Sequence, residues 1–94
     1  MRIVWTGPAI GDLRAARDYI ALDSPTAAFE QVILVLAAVD GLLPFPPHGR
    51  PGRRLGTREL VVGRTPFIVP YRVNGDAIEV LRVLHGRRRW PDAF

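Results

Sequence analysis

The sequence predicts an α+β domain of two layers, with a helix hairpin packed on one face of a mainly antiparallel sheet. Three observations predict it. A short β-branched and aromatic run, Arg2-Ile3-Val4-Trp5-Thr6, stops at Gly7-Pro8. Two apolar-periodic stretches then meet across Asp23-Ser24-Pro25, a connection so short that they must fold back as an antiparallel pair. Last come three runs of strand character, separated by Gly63-Arg64-Thr65-Pro66 and by Asn74-Gly75, which read as a meander.

The first helix is expected over about Pro8 to Leu22, with Pro8 in its opening turn. Ile10, Leu13, Arg17 and Ile20 share one face, with Ala9 and Ala16 beside it, and Asp12 falls toward the wet side. Ser24 is the expected N-cap of the second helix and Pro25 its first residue. That helix, about Pro25 to Leu43, carries Phe29, Val32, Leu36, Val39 and Leu43 at spacings of 3, 4, 3 and 4. Ile33, Val35 and Leu42 widen the apolar stripe beyond one amphipathic face, which leaves apolar surface for the sheet or for a partner. A basic connector rich in Pro and Gly, residues 44–54, leads to strands over Thr57–Val62, Phe67–Val73 and Ala77–His85. Pro70 cannot donate to a ladder, so a bulge or an edge position is expected beside it. Alternation along the strands would bring Arg58, Arg72 and Arg82 out together as a basic floor on the open face.

Ninety-four residues suit one domain, 1–94, and the absence of cysteine excludes a disulfide framework, a thiol nucleophile and a Cys-based zinc site. His48 and His85 are the only imidazoles, so neither a metal nor any other cofactor is expected. No stretch approaches the roughly eighteen apolar residues of a membrane span, and no signal peptide is expected, so the default expectation is a cytoplasmic protein. All thirteen basic residues are arginine, and they are unevenly spread. Residues 1–47 hold three Arg against five acids, net −2, whereas residues 48–94 hold ten against four, net +6. The C-terminal half is therefore the half suited to meet a phosphate or an acidic partner.

That charge peaks in Leu84-His85-Gly86-Arg87-Arg88-Arg89-Trp90-Pro91, where an apolar strand delivers His85 and three arginines to its C-terminal end. Arg87, Arg88, Arg89 and Trp90 form a candidate target-contact patch, with Arg72 as a further cation on the sheet. His85 has the intrinsic pKa of a general acid or base, but it suits equally a strand-end residue bonded to backbone. Arg58 and Arg72 could instead pair with Glu59, Asp76 or Glu79 across the sheet.

The order of these pieces resembles the RelE/ParE superfamily of small bacterial toxins. The resemblance runs through Ala9…Asp12-Leu13…Tyr19-Ile20-Ala21, Asp23-Ser24-Pro25-Thr26-Ala27-Ala28 and Pro47-His48-Gly49-Arg50-Pro51-Gly52. It continues through Gly56–Val62 and Thr65–Val73 to Ile78-Glu79-Val80-Leu81-Arg82-Val83-Leu84-His85-Gly86-Arg87-Arg88. It implies the β-α-α-β-β-β fold of that superfamily and a toxin held inactive by a cognate antitoxin. The antitoxin would cover apolar helix surface, for which Phe29, Val32 and Leu36 are the candidates.

Two chemistries occur in the superfamily. RelE-like members cut mRNA on the ribosome; in that case Arg58, Arg82 and Arg88 would hold the phosphate and His85 would move the proton. ParE-like members block DNA gyrase without acting as nucleases. The chain lacks the lysines of many RelE-like nucleases, although Arg53 and Arg54 occupy a comparable loop, and no tyrosine follows Arg87–Arg89. Leu81-Arg82-Val83-Leu84-His85-Gly86 is more similar to the ParE-like branch, so gyrase inhibition is the expected activity. An mRNA endonuclease, or an inactive relative that works only in the antitoxin complex, is the alternative.

Overall fold

The computed structural model describes residues 1–94. The elements run β1 (Arg2–Trp5), α1 (Gly7–Ala21), α2 (Pro25–Asp40), a 3₁₀ turn (Pro46–His48), β2 (Arg50–Pro51), β3 (Arg58–Val61), β4 (Phe67–Asn74), β5 (Ala77–Val80) and β6 (Leu84–His85). The sheet order is β1-β5-β4-β3-β2, with β6 beside the opposite end of β4 from β5. Only β1 and β5 are parallel; every other pair is antiparallel. The helix hairpin covers one face, as the sequence predicts.

Both helices begin where side chains satisfy their free N–H groups. Thr6 Oγ1 accepts from Ala9 N–H at 3.4 Å, and its hydroxyl donates to the Val80 carbonyl at 2.8 Å, tying the start of α1 to the end of β5. Ser24 Oγ accepts from Ala27 N–H at 3.1 Å, with Pro25 following it into α2. The second helix is shorter than expected and ends at Asp40. Gly41 weakens the helix there, and Pro44 disfavours helical backbone at Leu43. Leu42, Leu43 and Phe45 instead donate three residues back, to Val39, Asp40 and Leu42.

The core is built from Ala9, Val35, Val39 and Leu42 of the helical layer against Leu60, Val69, Tyr71, Ile78 and Val80 of the sheet. This phase differs from the stripe read in the sequence. Val35 and Val39 turn inward, Val32 is half-buried, and Phe29, Ile33 and Leu36 stand 68%, 47% and 38% exposed. On α1, Ala9 is buried with Leu13, Ala16 and Ile20 against the core, while Ile10 and Arg17 are exposed.

The expected continuous strand Ala77–His85 is broken. Val80 is opposite Tyr71 and Leu84 is opposite Ile68, so three residues, Leu81–Val83, face only two, Val69 and Pro70. This is a β-bulge beside the proline that lacks an N–H, and Pro70 contributes only its carbonyl, which accepts from Leu81 N–H at 2.9 Å. The extra residue reverses the side-chain alternation. Ile78 and Val80 are buried before the bulge, and odd-numbered Val83 is buried after it.

The connector is held by Tyr71. Its fully buried hydroxyl donates to the Pro46 carbonyl at 2.6 Å and accepts from Gly49 N–H at 2.8 Å. A Cβ at Gly49 would lie 2.6 Å from the Tyr71 ring, so the clamp needs glycine there. Burial raises the Tyr71 pKa above its ordinary 10.0. The neutral phenol's stabilisation is thus complete below about pH 10 and is lost as pH rises through the folded-state value. Tyr71→Phe strands the Gly49 donor and should cost about 1–3 kcal/mol in urea denaturation at neutral pH. The gap between variant and parent should narrow on the alkaline side; a gap that persists unchanged there would show that the phenol does not titrate with unfolding.

Candidate functional site

Arg82 leaves the bulge toward α1. Its Nε and Nη2 donate to Asp12 Oδ2 and Oδ1 at 2.6 and 2.8 Å, and Val83 N–H donates to Oδ2 at 3.0 Å. The two side chains are only 22% and 19% exposed, and the hydrogen bonds to Asp12 raise the Arg82 pKa further. Asp12 is therefore a tertiary tie, not a solvated residue, and Arg82 is committed to it.

The expected basic floor of Arg58, Arg72 and Arg82 does not form. Arg58 sits opposite buried Tyr71, on the helix side of the sheet, and donates to the Gly49 carbonyl at 2.9 Å. Arg72 lies on the other face, where Nε donates to Glu79 at 2.6 Å and holds that carboxyl below its usual range. Register explains the separation: Tyr71 and Arg72 are neighbours, and each cross-strand arginine partner shares the face of only one of them. Of the charge-paired alternatives, the Arg72–Glu79 pair is present, whereas Glu59 serves Arg50 and Arg53. Glu59 is buried, with the Arg53 backbone N–H at 2.8 Å and Arg50 Nη2 at 3.1 Å, and it fixes the β2–β3 loop. Arg72 is also remote from the C-terminal arginines. It lies five positions along β4 from Phe67, the partner of His85, or roughly 17 Å.

What does assemble is a turn after β6. Gly86 N–H donates to the Pro66 carbonyl at 2.8 Å, and the His85 carbonyl accepts from Arg88 N–H and from Trp90 Nε1, each at 3.2 Å. This compact turn projects Arg87, Arg88 and Arg89, none of which has a carboxylate partner. The Arg53 guanidinium stacks on Trp90, 3.6 Å from the ring centroid, and Arg54 Nη2 donates to the Pro91 carbonyl at 3.2 Å. Loop and tail thus gather five arginines at one pole of the molecule. Arg53 is held there by the cation–π contact with Trp90 together with its pairing to Glu59.

His85 and Arg88 come together on a cleft of about 520 Å³ between α1 and this turn. Tyr19, Ala16, Phe67 and Trp90 also line it, and the Arg88 guanidinium lies 5.3 Å from the Tyr19 ring centroid. His85 Nδ1 accepts from Arg87 N–H at 3.1 Å, so its neutral ring carries the proton on Nε2. Arg82 and Arg58 face other partners. The residues proposed for phosphate and proton chemistry therefore split into one pair at the cleft and two committed arginines. Asp12, Tyr19 and Arg53 stand out in the sequence only through the family resemblance, and Gln31 not at all; that they meet in this region follows from the packing of two helices and a loop far apart along the chain.

With this geometry in hand, comparison with known proteins identifies the family. Residues 3–90 match the family model of the ParE toxin of the type II toxin–antitoxin system, parDE. The chain belongs to the ParE toxin family. It is 44% identical over 93 residues to Y4kP of Sinorhizobium fredii, whose name describes it as a toxin, covering 99% of this chain and 96% of that one. It is 38% identical to toxin RelE2 of Caulobacter vibrioides, covering 93% and 97% respectively. A solved structure of the chromosomal ParDE system from P. aeruginosa superimposes with a TM-score of 0.81 at 36% identity, over 88% of this chain and 92% of that one. This protein is the toxin of a type II toxin–antitoxin system.

Asp12→Ala leaves Arg82 and the Val83 N–H without their acceptor. Allowing for partial exposure, we expect a loss of about 2 kcal/mol in chemical denaturation. A double-mutant cycle with Arg82→Ala should show strong coupling; additive effects would mean that the pair is not the tie between α1 and the bulge.

Proposed function

We propose that this toxin acts on DNA gyrase, and that it meets its target through the C-terminal pole formed by Arg87, Arg88, Arg89 and Trp90. The observation that carries this reading is the engagement of Arg82 by Asp12. It leaves the open sheet face without the arginine floor that an RNA active site would use, while the three guanidinia of the turn are free of carboxylates. Membership in the ParE toxin family supports the same choice. Unpaired guanidinia on a compact turn suit acidic protein surface, and Trp90 adds the aromatic anchor typical of contact hot spots. The whole chain, residues 1–94, acts as one domain in this reading, in the cytoplasm where such a target works.

The antitoxin docks in part on the outer side of α2. Phe29, Ile33 and Leu36 form an exposed i, i+4, i+7 stripe there, with Val32 half-buried at its border. An amphipathic segment laid on such a stripe covers apolar surface that water would otherwise meet. The ParDE system whose toxin shares this fold supports an antitoxin partner.

Regulated expression of the chain alone in bacteria tests the target. We expect growth arrest with an induced DNA-damage response and intact mRNA, and Arg87→Ala/Arg88→Ala/Arg89→Ala should abolish the arrest while the protein stays folded. Cleaved transcripts without a damage response would reassign His85 and Arg88 to an RNA site. For the antitoxin face, Phe29→Asp should weaken binding of the antitoxin by about tenfold or more and leave toxicity intact; undiminished affinity would move the docking face elsewhere.

A further inference from the structure

Gln31 reaches the cleft from α2, on the far side of that helix from Phe29 and Ile33. Its Oε1 is buried and has no hydrogen-bond partner, the single such side-chain atom in the molecule. An acceptor stripped of water and left unpaired weakens the free protein, and a donor arriving from outside removes that cost. The surroundings define the donor's chemistry. Ala16, Ile20, Phe67 and Tyr19 make apolar and aromatic walls, and Arg88 and Arg89 stand at the rim. Asp12, the one carboxylate in the lining, is already occupied by Arg82 and the Val83 N–H, so the rim cations face no anion of their own. A volume of about 520 Å³ admits a large ring with its flanking chain.

We propose that this cleft anchors the antitoxin through a Trp or Tyr side chain set in an acidic segment. The ring fills the cleft, its N–H or O–H donates to Gln31 Oε1, and flanking carboxylates meet Arg88 and Arg89. The inference rests on the antitoxin reading given above but names a second contact, on the other side of the helix hairpin. A nucleobase with its phosphate would also meet cations and rings, but more than half of the lining residues are hydrophobic, which favours a side chain. Occupancy of this cleft would cover two of the three guanidinia assigned to the target, so neutralisation would proceed by occlusion.

The test is isothermal titration of the full chain with the antitoxin encoded beside it, using Gln31→Leu and the double variant Arg88→Glu/Arg89→Glu, with thermal melting of each free protein. Gln31→Leu should melt higher than the parent, because the unpaired acceptor is gone, yet bind the antitoxin about tenfold more weakly. A merely structural role would move both readouts together. The double variant should melt as the parent does, bind about a hundredfold more weakly, and lose much of its salt dependence. Unchanged affinity in both variants would overturn the cleft assignment while leaving the antitoxin reading intact. No binding by the parent would overturn that reading and this inference with it. Binding of a single-stranded RNA oligonucleotide that the double variant abolishes, with antitoxin affinity untouched, would give the cleft to nucleic acid and overturn the proposal.

Discussion

The absent N–H of Pro70 is the constraint on which the arrangement of the C-terminal half depends. A proline in the middle strand of a sheet removes one donor from the ladder, and the neighbouring chain answers with a bulge at Leu81–Val83. From that single inserted residue follow the reversed alternation, the burial of Val83 and the escape of Arg82 from the sheet. Asp12 then closes the arrangement, accepting from the arginine and from the Val83 backbone at once. A carboxylate that accepts three hydrogen bonds compensates much of its own desolvation, which a lone ion pair at this depth would not. The bulge and α1 are thereby locked together, and β6 with its arginine turn is aimed at the cleft.

Ion pairing divides the arginines into those that engage carboxylates of the fold and those that do not. Six of them engage carboxylates, and those contacts serve the fold: Arg82 to α1, Arg50 and Arg53 to the loop carboxylate Glu59, Arg72 across the sheet, Arg2 and Arg17 at the surface. The exposed pairs among these contribute little. Arg87, Arg88 and Arg89 have no such partner and are exposed on the turn after β6. Apolar exposure is divided in the same way. The outer stripe of α2 lies open on one side of the helix hairpin, and the cleft with its unsatisfied Gln31 lies on the other; these are the two holds proposed for the antitoxin.

Local chemistry was legible in the chain. Ser24-Pro25 marks the start of α2, Asn74-Gly75 marks the β4–β5 turn, and Pro70 marks the bulge; each acts through the backbone of its immediate neighbours. The arginine cluster with Trp90 could be read as a patch because its members are adjacent in sequence. The helix phase was less legible: Val32, Val35, Leu36 and Val39 all fit an apolar stripe, and the choice of Val35 and Val39 for the core depends on where the sheet lies.

By itself the sequence determined the two-layer α+β order of elements, the caps and turns between them, and the concentration of positive charge after β6, since these follow from propensity, periodicity and composition. Tertiary structure alone decided the fate of individual arginines. Side-chain alternation on β4 puts Arg58, opposite Tyr71, and Arg72 on opposite faces of the sheet, and the bulge at Leu81–Val83 turns Arg82 away to Asp12, so the predicted company of the three does not form. The Asp12–Arg82 tie and the Arg53–Trp90 stack join residues tens of positions apart, and no local pattern encodes them or the burial of Gln31 Oε1, which exist only after the helix hairpin has closed on the sheet.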